Sequence, residues 1–98
     1  MPPEPIVAEF YTKEGCGLCH EMKHVIEQVR AEYPLVLREI DITSDPSLVA
    51  RFGEEIPVLF LDGRKACKFQ TSESALRRRL DLLLFQRRLR TTALGSDR

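Results

Sequence analysis

The sequence predicts one α/β domain, a four-stranded mixed sheet with helices on both faces in the order β-α-β-α-β-β-α. Three observations carry this. The β-branched and aromatic run Ile6–Tyr11 (IVAEFY) gives way within a few residues to apolar positions at helical spacing. A second strand-like run, Leu35–Ile42 (LVLREIDI), follows that helix, so the first two strands and their crossover form a parallel βαβ unit. Asp62-Gly63 then joins two further short runs, a strong signal for an antiparallel hairpin. With 98 residues the chain can bury a single modest core.

Taken in order, Thr12–Gly15 turns the chain out of the first strand. From Cys16 the apolar residues Leu18, Met22, Val25, Ile26 and Val29 fall at steps of three and four, and Pro34 closes the helix. Asp45 can cap a short second helix with Pro46 at its first position, and Gly53 reads as a left-handed terminator. Pro57–Leu61 is a buried strand and Lys65–Phe69 its returning partner. Thr71 or Ser72 caps the last helix, which carries Leu76, Leu80, Leu83 and Leu84 on one face. The folded core is expected over residues 5–90, with 91–98 a frayed tail.

Apolar content of 43% and charged content of 31% belong to an ordinary globular protein. No apolar stretch approaches a membrane span, so no membrane partner is expected. Met1-Pro2-Pro3-Glu4-Pro5 lacks a secretory layout, and the expected compartment is the cytoplasm, where structural disulfides are rare. Zero net charge hides an asymmetry: residues 1–62 hold 12 acidic and 5 basic side chains, residues 63–98 hold 3 and 10. No aromatic residues interleave these arginines, so a solvated helix face is expected rather than a nucleic-acid site.

The chemistry lies in Gly15-Cys16-Gly17-Leu18-Cys19-His20. Cys16 falls at a strand-to-helix junction, where unpaired backbone N–H groups and the helix dipole favour a thiolate. Cys19, one helical turn on, comes within disulfide reach. The arrangement gives an exposed nucleophile, Cys16, and a recessed resolving thiol, Cys19. The same letters spell a c-type haem attachment motif, but four strands and no distant methionine argue against haem. Zinc on Cys16, Cys19, His20 and His24 lacks a second CxxC to close the site, so no metal is expected. His20 and His24 read as exposed helix residues, and Glu9 as solvent-facing in preference to a proton relay for Cys19. Cys67 reads as a small core residue.

Tyr11-Thr12-Lys13-Glu14-Gly15-Cys16-Gly17-Leu18-Cys19 after a strand, with Ile56-Pro57 before a later one, resembles a glutaredoxin-like protein of the thioredoxin superfamily. The resemblance spans roughly residues 5–85 and implies a thioredoxin-like fold of glutaredoxin type. It also implies a thiol-disulfide oxidoreductase with Cys16 and Cys19 catalytic. Pro57 would be the family's cis-proline opposite the dithiol, with Ile56 offering backbone groups to a bound peptide or glutathione. Tyr11 and Lys13 belong to the implied substrate site, although Lys13 reads equally well as a turn cation. No bound cofactor is implied; glutathione is a candidate co-substrate. The implied partners are protein disulfides or glutathione, plus a reductase or thioredoxin-type reductant, acting on a monomer. The chain departs from glutaredoxins at Lys68-Phe69-Gln70-Thr71-Ser72-Glu73, where those proteins carry a glycine pair. From a different class, a thioredoxin-fold binding module that uses its groove beside Pro57 or its basic helix without redox turnover stays open.

Overall fold

Ile6, Ala8 and Phe10 alternate with Val7, Glu9 and Tyr11, and the strand they form, β1 (Ile6–Thr12), lies inside a four-stranded sheet of order β2-β1-β3-β4. The computed structural model describes residues 4–96, with side-chain surroundings through residue 90. After β1 come α1 (Gly17–Arg30), β2 (Leu35–Asp41), a 3₁₀ turn (Ile42–Ser44), α2 (Pro46–Phe52), β3 (Val58–Leu61), β4 (Arg64–Lys68) and α3 (Glu73–Ser96). β1 pairs in parallel with β2 and antiparallel with β3, and β3 and β4 form the antiparallel hairpin. Asp62 and Gly63 at its tip both take positive φ, 50° and 82°, as a primed two-residue turn demands.

Period-two alternation sorts the two faces. Ala8 and Phe10 stand opposite Leu61 and Leu59, and this face meets α1 and α3. Met22, Ile26 and Val29 from α1 and Leu76 and Leu80 from α3 are buried with it. On the other face α2 presents Phe52, whose ring lies 4.4 Å from that of Tyr11 and 5.8 Å from that of Phe60. Helices therefore cover both faces, as expected of the order of elements.

Four local expectations are corrected. Gly53 is not left-handed: its φ is −53°, and a Cβ there would lie 2.5 Å from the Val49 carbonyl oxygen, so close approach is what favours glycine. β2 stops at Asp41 because the Asp41 carboxylate accepts from the Thr43 N–H at 2.9 Å and hydroxyl at 2.7 Å, which bends Ile42 into the 3₁₀ turn. β4 begins at Arg64 and ends at Lys68, one residue earlier at each end than expected, because the tight turn returns the chain at once. The last helix continues past Arg90 as far as Ser96; Thr91–Leu94 contain no breaker, and the first one is Gly95. Residues 1–3, part of the segment read for a leader, and residues 97–98 of the expected tail lie outside the described residues.

Candidate functional site

β1 delivers the chain to the turn Lys13–Gly15, and Gly15, with φ of 75°, reverses it into α1. Cys16 is the N-cap residue of that helix in an extended conformation, φ −101°. Its sulfur accepts the backbone N–H of Cys19 at 3.2 Å, satisfying one of the donors that a helix leaves open in its first turn. No acidic side chain occupies that turn to oppose a negative sulfur. Cys16 and Cys19 are joined as a disulfide, with Cα atoms 5.2 Å apart. Cys16 is half-buried, whereas Cys19 is only 3% exposed and belongs to the core.

The Ile56–Pro57 peptide is cis, and both residues are buried. Tyr11 pairs with Val58, so Pro57 lies one position further along, at the end of the sheet from which the Cys16 turn departs. Beside Cys19 an open depression is lined by Lys13, His20, Lys23, Glu39 and Asp41. Lys23 and Glu39 pair at 2.9 Å, and the bond to Glu39 holds the Lys23 ammonium above its usual pKa. The Asp41 carboxyl is held below the usual carboxylate range by the Thr43 hydroxyl and N–H. Lys13 is exposed and lines the same depression as Cys19.

Other residues singled out in the sequence do not converge there. Tyr11 turns its ring to the α2 face, against Phe52 and Phe60 and away from the face of Cys19. Glu9 faces that same side, opposite Phe60, so it cannot reach Cys19. His24 is exposed. Cys67 is half-buried opposite Leu59, and burial pushes its thiol pKa up, the reverse of what a nucleophile needs. Among the described residues no three of His, Cys, Asp and Glu gather as a metal site, and no helix is long and apolar enough to cross a membrane.

The basic helix is partly neutralised within the chain. Arg77 clasps Glu32 at 2.7 Å and Glu73 at 3.2 Å, Arg87 binds Asp62 at 2.6 Å, and Arg79 donates to the Lys65 carbonyl at 3.1 Å. The Arg77–Glu32 and Arg87–Asp62 pairs join the basic residues 63–98 to the acidic residues 1–62. Sequence reasoning missed Phe69. Its φ is 68°, its N–H donates to the Pro57 carbonyl at 2.8 Å, and with Leu18 it lines a groove beside α1. A bulky aromatic itself gives no signal for a left-handed backbone; the one hint lay in the resemblance, since Lys68–Glu73 stands where glutaredoxins carry a glycine pair.

The fold and the bonded Cys16–Cys19 pair define a thioredoxin-fold protein with a CxxC disulfide at the N-terminus of its first helix. Residues 8–81 match the model of the glutaredoxin-like domain (DUF836), and the chain belongs to that family. It is similar to the uncharacterized protein Rv0508 of Mycobacterium tuberculosis, 31% identical over 74 residues that cover 70% of this chain and 76% of the relative. Protein XcR50 of X. campestris superposes with a TM-score of 0.65 at 26% identity, over 76% of this chain and 96% of that one. A thioredoxin from Halobacterium salinarum, 24% identical over 80% of this chain and 74% of its own, superposes with a TM-score of 0.58 and shares the fold.

Proposed function

We propose that the protein is a dithiol oxidoreductase that exchanges disulfides through Cys16 and Cys19. The observation that carries this reading is the asymmetry of the pair: Cys16 is half-exposed and receives the Cys19 N–H at 3.2 Å, while Cys19 is recessed behind it. In the reduced protein the Cys16 thiolate attacks one sulfur of a substrate disulfide. A Cys16–substrate bond forms, the substrate S–S bond breaks, and the first substrate thiolate leaves. Cys19 loses its proton and attacks the Cys16 sulfur. The internal disulfide forms, and the second substrate thiolate departs. Two electrons have passed from the dithiol to the substrate, which takes up two protons. An external thiol or reductase, running the sequence in reverse, restores the dithiol.

Three further groups are read as supporting this exchange. Lys13 supplies positive charge at the dithiol turn, and the Ile56–Pro57 loop borders the approach to Cys16. Tyr11 contributes indirectly, by fixing the end of β1 against Phe52. Protein disulfides and glutathione mixed disulfides are the candidate substrates. The test is reduction of both classes by wild-type protein and by Cys16→Ser, with the midpoint potential of the pair titrated against glutathione and a thioredoxin couple. Turnover by wild type and none by Cys16→Ser is the expected result; equal rates for the two proteins would leave the fold as a binding module.

A further inference from the structure

Phe69 holds a backbone conformation that among the other described non-glycine residues only Asp62 adopts, with φ of 68°. The Gln70 N–H donates to the Lys68 carbonyl at 2.8 Å, closing a three-residue γ-turn of the strained, positive-φ kind around Phe69. Glycine would hold this turn without steric conflict, whereas a bulky side chain there is an outlier. Core packing does not explain the aromatic, because the residue is 40% exposed. The turn is nonetheless fixed: the Phe69 N–H is bonded to the Pro57 carbonyl at 2.8 Å, and the Lys68 ammonium stands 5.4 Å from the ring centroid. The ring lines a groove with Leu18, Met22 and Val25, and Leu18 is one of the two residues between the cysteines.

We propose that Phe69 is a specificity-determining residue of the exchange reaction, its ring and Leu18 receiving an apolar side chain next to the cysteine of an extended peptide disulfide. This rests on the reading of Cys16–Cys19 as the exchange site. The groove's chemistry favours such a peptide over glutathione, whose two carboxylates would meet only the uncharged donors Gln70 and Thr71 and no cation along its lining. At the N-terminus of α3 one of the open donors, the Ala75 N–H, is already taken by the Ser72 hydroxyl at 3.1 Å, and Glu73 places a negative charge in the first turn. Glu21 lines the groove on its α1 side and adds to the repulsion. An uncharged apolar side chain meets neither obstacle and gains contact with a ring presented on a hydrogen-bonded turn.

The experiment compares two synthetic peptide disulfides, one with leucine and one with glycine beside the cysteine, in single-turnover reactions with reduced protein. Wild type is expected to favour the leucine peptide by about tenfold in second-order rate. In Phe69→Gly and Phe69→Ala the ratio should fall to near one, with the melting temperature of Phe69→Gly equal to or above that of wild type. A ratio retained in either variant overturns the proposal; retention in Phe69→Ala alone would mean that the backbone rather than the ring selects. A second arm uses Cys16→Ser/Cys19→Ser protein and a leucine peptide with serine for cysteine, followed by amide chemical shifts. Shifts at Leu18 and Phe69 that vanish with Phe69→Gly support the assignment, and no shifts there overturn it. If wild type reduces no disulfide at all, the exchange reading fails by itself, and this binding arm still decides the role of Phe69.

Discussion

The backbone N–H of Cys19 points at the sulfur of Cys16 across 3.2 Å, a donor already in place for the thiolate that reduction would release there. Thiolates so placed at helix N-termini ionise below the ordinary value of about 8.5. In reduced protein Cys16 should therefore be alkylated much faster than Cys19, which is recessed in the core. Cys16→Ser should abolish exchange. Cys19→Ser should complete only the first step and accumulate a mixed disulfide, visible by mass spectrometry as one substrate half per chain. Accumulation on Cys19 in Cys16→Ser, with none on Cys16 in Cys19→Ser, would reverse the assigned roles.

Phe52 joins α2 to the sheet. It is 1% exposed, and its ring touches those of Tyr11 and Phe60 while the Arg51 guanidinium lies 4.6 Å above it. Truncation to alanine leaves a cavity that a seven-residue helix cannot fill by local collapse. Phe52→Ala should cost about 3–5 kcal/mol in urea denaturation. Because Tyr11 rests on the same ring, exchange rates should fall with it in the fraction that stays folded.

What was legible in the sequence was whatever depends on local periodicity and on named turn residues. The β-branched and aromatic run Ile6–Tyr11 announced β1, Asp45-Pro46 announced α2, and Asp62-Gly63 announced the hairpin. The Cys16–Cys19 couple was legible because one helical turn fixes its geometry without help from distant residues. Long-range placement was hidden. Tyr11 and Glu9 look no different from site residues until the β1–β3 register puts them on the α2 face. Phe69 is the extreme case, since its conformation follows from the bond to Pro57 and the γ-turn, not from any preference of phenylalanine. Gly53 shows the converse, a glycine whose familiar reading gave way to a steric one.

Tyr33 clamps the end of α1 to α3, its hydroxyl donating to the Asp81 carboxylate at 2.7 Å. That bond is the main reason its pKa is pushed up to about 12, with burial and the Asp81 charge adding to it. A phenol whose folded pKa is raised stabilises the fold fully below its unfolded value of about 10 and loses that contribution as pH climbs towards 12. A 295 nm titration of wild type should show a tyrosine step near pH 12 that is absent in Tyr33→Phe. Tyr33→Phe should also lower the urea midpoint at pH 7, and the difference between the two proteins should close above pH 12. A Tyr33 step at the ordinary value would mean that the clamp is open in solution.

Asp45 tests the cap of α2 from the acid side. Its carboxylate accepts the Ser47 N–H and hydroxyl, each at 2.9 Å, and these two bonds, the N–H first, hold its pKa below the usual 3.8. For a carboxyl whose folded pKa is depressed, the stabilisation is complete above the unfolded value of about 3.9 and disappears as pH falls through the folded one. At pH 7, Asp45→Ala should therefore unfold at a clearly lower urea concentration than wild type, and the gap should narrow steadily below about pH 4. Asp45→Asn keeps an oxygen acceptor but has nothing to titrate, so its offset from Asp45→Ala should not vary with pH in this range. The carboxylate's charge, and not only its shape, then accounts for the part of the wild-type advantage that acid removes. A gap between wild type and Asp45→Ala that persists unchanged to pH 2 would assign the cap to hydrogen-bond geometry alone, with Pro46 at the first helical position setting the start of α2.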